Sequence, residues 1–270
     1  MPDKNVKVDQ AHYVTQFWNA AFAKSAVKDD QVPRSISSAD RIDPFERRFL
    51  ELIGDVSGRE ILEIGCGLGD YTVAFAKMGA YVTSVDISAV AVEKVRQRLS
   101  AAGLTADVQV MNVFDIKCLN RRFDLIAGKF ILHHLEPFEE LSAIFAACLK
   151  PEGKMVFAEN NARNPLLIFA RDHLAGRYGI PKYGDDVEYP LTPTEVGMLR
   201  KDFTNVVCEY PTLIFIRKLN TYVFRGKEVF KPIMTTLDRI DDSLWKAFPR
   251  LRQFSYNQIV YAEAPKSTAS

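Results

Sequence analysis

The chain has 270 residues, 47% of them hydrophobic and 26% charged, with a formal net charge of +1. That length suits one α/β domain with additions, and the near-neutral balance points neither to a nucleic-acid groove nor to an acidic partner. The cysteines Cys66, Cys118, Cys148 and Cys208 form no C-x-x-C and have no histidine beside them, which argues against a metal site or disulfide framework and for a reducing, cytoplasmic setting.

In chain order, residues 1–10 are polar, without the apolar core of a leader, and no run of about 18 apolar residues occurs, so no stable membrane insertion is expected. Residues 11–27 place His12, Tyr13, Phe17, Trp18, Ala21 and Phe22 at helical spacing. This predicts an amphipathic helix, packed on the core or closing over a cleft. Residues 29–43 are polar and read as a connection, and Pro44 opens a second helix to Ile53.

Glu60 to Ile64 is a short apolar run that predicts a buried parallel strand. It leads into Gly65, Gly67 and Gly69, then into a helical pattern over 71–78. Glycines at such a turn let a ligand lie against bare backbone. The spacing is not the G-x-G-x-x-G of a dinucleotide site, and no Lys-Ser or Lys-Thr follows as in a P-loop. Asp70 at the helix N-terminus disfavours a pyrophosphate, so a cationic or neutral ligand is expected.

The next strand is predicted over 81–86, ending in Asp86, with Ser88 capping a helix to Ala102 that Gly103 stops. Strands follow at 108–113 and 123–128, then a helix at 137–149 and a fifth strand at 154–159. Such alternation predicts a parallel sheet with helices on both faces and a ligand crevice at the carboxyl ends of its strands. Beyond it, 165–174 is helical and Thr192-Pro193-Thr194-Glu195 is a capping box. A sixth strand is expected at 206–209 and a last one at 254–263. Between them lies a long insertion, 210–250, carrying Phe215, Tyr222, Phe224, Phe230 and Trp245. Such insertions cover substrate or form a homodimer surface.

Together, Glu63-x-Gly65-x-Gly67-x-Gly69 and Asp86 closing the next strand resemble the class I S-adenosylmethionine-dependent methyltransferases of the small-molecule type. Phe123-Asp124-Leu125-Ile126 and the stretch 149–153 are similar too, and the resemblance covers roughly residues 45–160 plus a final strand. It implies a doubly wound, mostly parallel seven-stranded α/β sheet, with N-terminal lid helices and a helical, aromatic cap after strands 5 and 6. The layout expected is a lid and linker at 1–43 and a cofactor-binding core at 44–160. A cap at 161–200, the final strands with the insertion at 201–264, and a frayed tail at 265–270 complete it.

The resemblance also implies S-adenosylmethionine as cosubstrate, held by Glu63, Gly65, Cys66, Gly67, Gly69, Asp86 and Ile87, with Asp86 accepting the ribose hydroxyls. Asn112, Val113 and Phe114 stand where the family has an acid and a small residue at the adenine. Asn112 offers a carbonyl acceptor there, and Asp115 competes for the role. Lys129, just past the fourth strand, joins this set.

Methyl transfer from a sulfonium is an in-line displacement that needs alignment and a proton acceptor, and neither a metal nor a protein nucleophile. His133 and His134 follow the fourth strand. One of them, preferentially His133, is the expected base, the other reading being that they shape the loop. Glu159, ending the fifth strand, orients the base, binds an acceptor hydroxyl or caps the rim, and Asn160, Asn161 and Arg163 are acceptor-binding candidates. His12 and His173 read as helix-face residues. The expected acceptor is a hydroxyl of a small natural-product or sugar-like molecule. Nitrogen or carbon acceptors, and cofactor binding without transfer, stay open. A nicotinamide-dependent reductase is disfavoured by the glycine spacing and the lack of a Tyr-x-x-x-Lys pair.

Overall fold

The structure, a computed structural model, describes residues 7–25, 43–173, 176–177, 189–213 and 231–266. Most of the expected linker at 29–43, most of the loop before Tyr189, and Phe215, Tyr222, Phe224 and Phe230 lie outside these residues.

Seven strands form one sheet in the order β3-β2-β1-β4-β5-β7-β6. They are β1 (Glu60–Ile64), β2 (Tyr81–Asp86), β3 (Asp107–Val110), β4 (Phe123–Lys129), β5 (Leu149–Asn160), β6 (Phe203–Glu209) and β7 (Asn257–Pro265). β1 to β5 pair in parallel, and β7 inserts antiparallel between β5 and β6. The helices are α1 (Lys7–Lys24), α2 (Pro44–Ile53), α3 (Asp70–Lys77), α4 (Ala89–Ala101), α5 (Phe138–Cys148), α6 (Pro165–His173), α7 (Pro193–Met198) and α8 (Lys231–Ala247). No helix among the described residues is long and apolar enough to cross a membrane.

The period of two along each strand decides what faces what. Leu62 and Ile64 join one core with Phe138, Leu141 and Phe145 of α5. Ile61 joins the opposite one with Phe45 and Phe49 of α2 and Phe75 of α3. Each fully buried aromatic of this kind contributes about 1.5–3 kcal/mol. α4 closes the β3 edge through Val92, Val95 and Leu99, packed with Val73 and Cys66.

Several expected boundaries are corrected. The third strand ends at Val110, because the Asn112 side chain accepts the Phe114 N–H at 3.1 Å and caps a 3₁₀ turn over Val113–Leu119. β5 starts at Leu149, since Leu149 already pairs with Phe123 before a register shift brings Lys154 opposite Leu125; the Pro-Glu-Gly segment is absorbed as an irregularity. β6 starts earlier, at Phe203. β7 starts at Asn257 because Pro249–Phe254 winds into 3₁₀ turns. The tail is not loose from 265: Pro265 is in β7, and the Lys266 N–H donates to the Asp202 carbonyl at 2.7 Å. The capping box at Thr192 and Glu195 forms as expected, Thr192 Oγ1 accepting the Glu195 N–H at 3.2 Å.

Candidate active site

β1 lies between β2 and β4, the point where a doubly wound sheet reverses its winding and opens a crevice beyond its strands. The glycine loop forms one wall. Gly65, Gly67 and Gly69 all have positive φ, at 67°, 52° and 79°. A Cβ on Gly65 would lie 2.7 Å from Ile131, and one on Gly69 would lie 2.7 Å from Val95. The loop therefore needs glycine both for its conformation and for close packing.

Asp86, 8% exposed, sits beside the loop. Its carboxylate accepts the Gly67 N–H and the Ser88 N–H, both at 2.9 Å. Burial pushes its pKa up against the pull of these amides. Ile87 is half-buried next to it. Glu63 lies deeper, accepting Thr72 Oγ1–H at 2.5 Å and Ser84 Oγ–H at 2.8 Å. Desolvation raises its pKa to about 7. This places Glu63 beneath the loop, tying β1, β2 and α3 together. The Cys66 side chain packs into the α4 core, so only its backbone borders the loop. Burial and the nearby carboxylates of Glu63 and Asp86 push its thiol pKa up. Asp70 and the Leu68 carbonyl are both bound by Arg98 Nη1 from α4, Asp70 at 2.9 Å. Val113 is buried in the core, and Phe114 is half-buried against it.

Opposite, the loop after β4 carries the histidines. Glu159 is fully buried rather than on the rim. One carboxylate oxygen accepts the N–H groups of Ile131 and Leu132, at 2.9 and 2.7 Å. The other is 2.5 Å from His133 Nδ1. The His133 side chain is 1% exposed, and its ring lies 4.1 Å, centroid to centroid, from His134. His134 in turn forms a T-shaped pair with Trp18 from α1, the ring centroids 5.5 Å apart. The same helix places Phe22 3.6 Å from where a Gly67 Cβ would stand. Asn19 accepts the Ser88 hydroxyl at 2.6 Å, and Lys94 donates to the Phe22 carbonyl at 2.6 Å. α1 thus lies across both walls.

Lys129, at the lip of β4, points to the α2 and α3 face. Its ammonium donates to Glu46 Oε2 at 2.5 Å and to the Tyr71 hydroxyl at 3.2 Å, and Tyr71 donates to the other oxygen of Glu46. Phe130 follows with φ of 55°, a left-handed conformation that is costly for a bulky residue and concentrates at functional sites.

Sequence reasoning missed Glu46 and Tyr71. The available signals were Tyr71's place in the first turn after the glycine loop and an acid amid the apolar positions of α2. It also missed Thr72 and Ser84, which partner Glu63. Asn161 is corrected from acceptor candidate to scaffold: it is 1% exposed, and its amide donates to the Gln253 and Ser255 carbonyls. Arg163 bonds Gln253, and His12 and His173 are exposed on their helices. Among the described residues no group of three or more His, Cys, Asp or Glu is placed to hold a metal ion.

A family model described as "Methyltransferase domain" matches residues 61–153. The chain is 30% identical over 160 residues to the ubiquinone biosynthesis O-methyltransferase of Actinobacillus pleuropneumoniae serotype 7, covering 56% of this chain and 67% of that protein. It is 29% identical over 120 residues to the protein of the same name from Coxiella burnetii, covering 44% and 51%. The chain therefore spans about half the length of the Coxiella relatives it matches. In fold it is similar to the N-methyltransferase NodS from Bradyrhizobium japonicum, with a TM-score of 0.54 at 15% identity, over 94% of this chain and 99% of that one.

Proposed function

The chain belongs to the class I S-adenosylmethionine-dependent methyltransferases, and from that premise we propose that it methylates a hydroxyl oxygen of a small organic molecule with His133 as the base. The observation that carries this reading is the 2.5 Å contact between His133 Nδ1 and Glu159. With Nδ1–H donated to that carboxylate, the ring is held in the tautomer whose Nε2 accepts a proton. Glu159 is itself fixed by two backbone N–H groups of the loop that carries His133, so base and orienter are positioned as one unit.

The residues present fit the family's cosubstrate. The glycine loop offers bare backbone held in left-handed conformations, and Asp86 is a buried carboxylate at its edge. When bound, S-adenosylmethionine supplies a methyl group on a positively charged sulfur. In this reading Gly65, Gly67, Gly69 and the Cys66 backbone border it, and Asp86 turns to the ribose hydroxyls. Ile87, Asn112 and Phe114 flank the adenine. Val113 supports that wall from the core, and Glu63 supports the loop from below. Trp18 and Phe22 of α1 exclude water above. That the Actinobacillus and Coxiella relatives are O-methyltransferases supports an oxygen acceptor over nitrogen or carbon.

The test is incubation with S-adenosylmethionine and a panel of phenols, catechols, sugars and amines, read by mass spectrometry. Methylated hydroxyl products are expected. His133→Ala should lower turnover by about 10²–10⁴ while leaving cofactor affinity unchanged. Products confined to amines or carbon acids, or full turnover in His133→Ala, would overturn the reading.

A further inference from the structure

We infer that the cleft between α2, the end of β6 and α8 is a second ligand site, separate from the cosubstrate crevice, and that it takes a small aromatic carboxylate between Arg47 and Arg252. The inference goes beyond the methyltransferase reading and stands on its own residues.

The cleft's place comes first. β5 and β6 both pair antiparallel with β7, so β6 runs with the parallel strands. Its last residue, Glu209, therefore lies at the same end of the sheet as the crevice. The sheet order sets β6 three strands away from β4, about 14 Å at the usual strand spacing. There a cavity of about 400 Å³ opens, a volume within the range of small-molecule sites. Pro44 at the start of α2, with Tyr210, Pro211 and Trp245, supplies its apolar wall, and arginines and glutamates line the rest.

The charges decide what the cleft takes. Arg48 donates through Nε and Nη2 to the two oxygens of Glu209, at 2.6 and 2.8 Å, and through Nη1 to Glu51 at 3.1 Å. Both glutamates of the lining are thereby tied to one arginine. Arg252 sits over the Trp245 ring, its guanidinium carbon 3.9 Å from the centroid, and its Nε donates to the Trp245 carbonyl at 2.9 Å. The indole N–H of Trp245 donates in turn to the Tyr210 carbonyl at 2.6 Å. The stack holds the Arg252 fork in one orientation. Its Nη groups, and the guanidinium of Arg47, exposed on α2, take no partner among the described residues. Three guanidiniums against two carboxylates leave one positive charge in the lining. That balance matches a monoanionic carboxylate better than a dianionic phosphate ester. A planar carboxylate also accepts two parallel N–H bonds from a guanidinium fork, and an attached flat ring packs on the proline and Tyr210 side of the cleft. A purely structural ion pair joining α2 to β6 accounts for Arg48 alone, and has no need of Arg47 or of an oriented Arg252.

The test reads the indole N–H resonances of the whole chain by nuclear magnetic resonance. The chain has two tryptophans, and Trp245→Phe assigns the signals. Titration with benzoate should move the Trp245 signal saturably and leave that of Trp18 in place. Benzyl alcohol, of similar shape but uncharged, should move neither. Arg47→Gln changes an exposed side chain without a protein partner, and should weaken benzoate about tenfold, the usual loss of a charge-assisted hydrogen bond. Arg252→Lys keeps the charge but loses the fork, and should weaken benzoate several-fold. Both variants should bind S-adenosylhomocysteine as the wild type does. A Trp245 signal that benzoate leaves unmoved, an equal response to the alcohol, or wild-type benzoate affinity in Arg47→Gln would overturn the inference. So would inorganic phosphate binding there more tightly than benzoate, or an equal loss of benzoate and S-adenosylhomocysteine in the variants. None of these outcomes bears on the methyltransferase reading, which fails instead if the wild-type chain does not bind S-adenosylhomocysteine.

Discussion

The two walls of the crevice are built by different means. On the β1 and β2 side the groups at the surface are backbone, shaped by three glycines in left-handed conformations and by one carboxylate that two amides hold. On the β4 and β5 side they are side chains, and the decisive pair, His133 and Glu159, is separated by 26 residues. A wall of backbone is specified by its own few residues. A wall of paired side chains exists only after two strands have been brought into register.

The contact that joins the walls gives the largest way to break this comparison. Ile131, in the histidine loop, packs against Gly65. Gly65→Ala would place a Cβ there at a φ of 67°. A left-handed non-glycine residue costs about 1–2 kcal/mol, and overpacking about 1–3 kcal/mol more. Denaturant unfolding should show a loss of about 2–5 kcal/mol, and the double variant with Ile131→Ala, which lacks both the Cγ1 and the Cδ1 that would stand 2.7 Å from the new Cβ, should lose less than the sum of the two single variants. If the two losses simply add, the walls are independent and the loss is conformational alone.

Glu63 offers a second, somewhat smaller effect, confined to the backbone wall. Its carboxyl titrates near 4.5 when unfolded and about 7 when folded. Between those values the folded state holds the extra proton, so this group's stabilisation is present below pH 4.5 and is lost as pH rises through 7. The gap corresponds to roughly 3 kcal/mol. Glu63→Gln should remove that part of the pH dependence, so its stability relative to wild type rises between pH 4.5 and 8. Parallel curves for the two proteins would show that the buried carboxylate is not the group responsible.

The same contrast explains what the sequence revealed. The strand Glu60–Ile64, the helix Pro44–Ile53, the Ser88 cap and the capping box at Thr192 are local patterns, and they appear where expected. The glycine loop and Asp86 were legible for the same reason. The partners of Lys129 and Glu63 were not, because Glu46 lies 83 residues from Lys129 and Ser84 lies 21 from Glu63. Nothing local marks Asn161 as scaffold either; only the return of the chain at Gln253 and Ser255 gives its amide a partner. The third strand was overextended because Asn112 caps a 3₁₀ turn, and its side chain competes with the ladder for the backbone.

The central claim is that Glu159 sets His133 up as the base, and the pH dependence of turnover tests it most directly. A neighbouring carboxylate favours the protonated imidazole, so Glu159→Gln should move the acidic limb of the rate profile to lower pH. It should also lower the plateau, with S-adenosylmethionine affinity unchanged. An acidic limb at the wild-type pH, with rate and affinity falling together, would contradict the account and reduce the pair to a support for the loop.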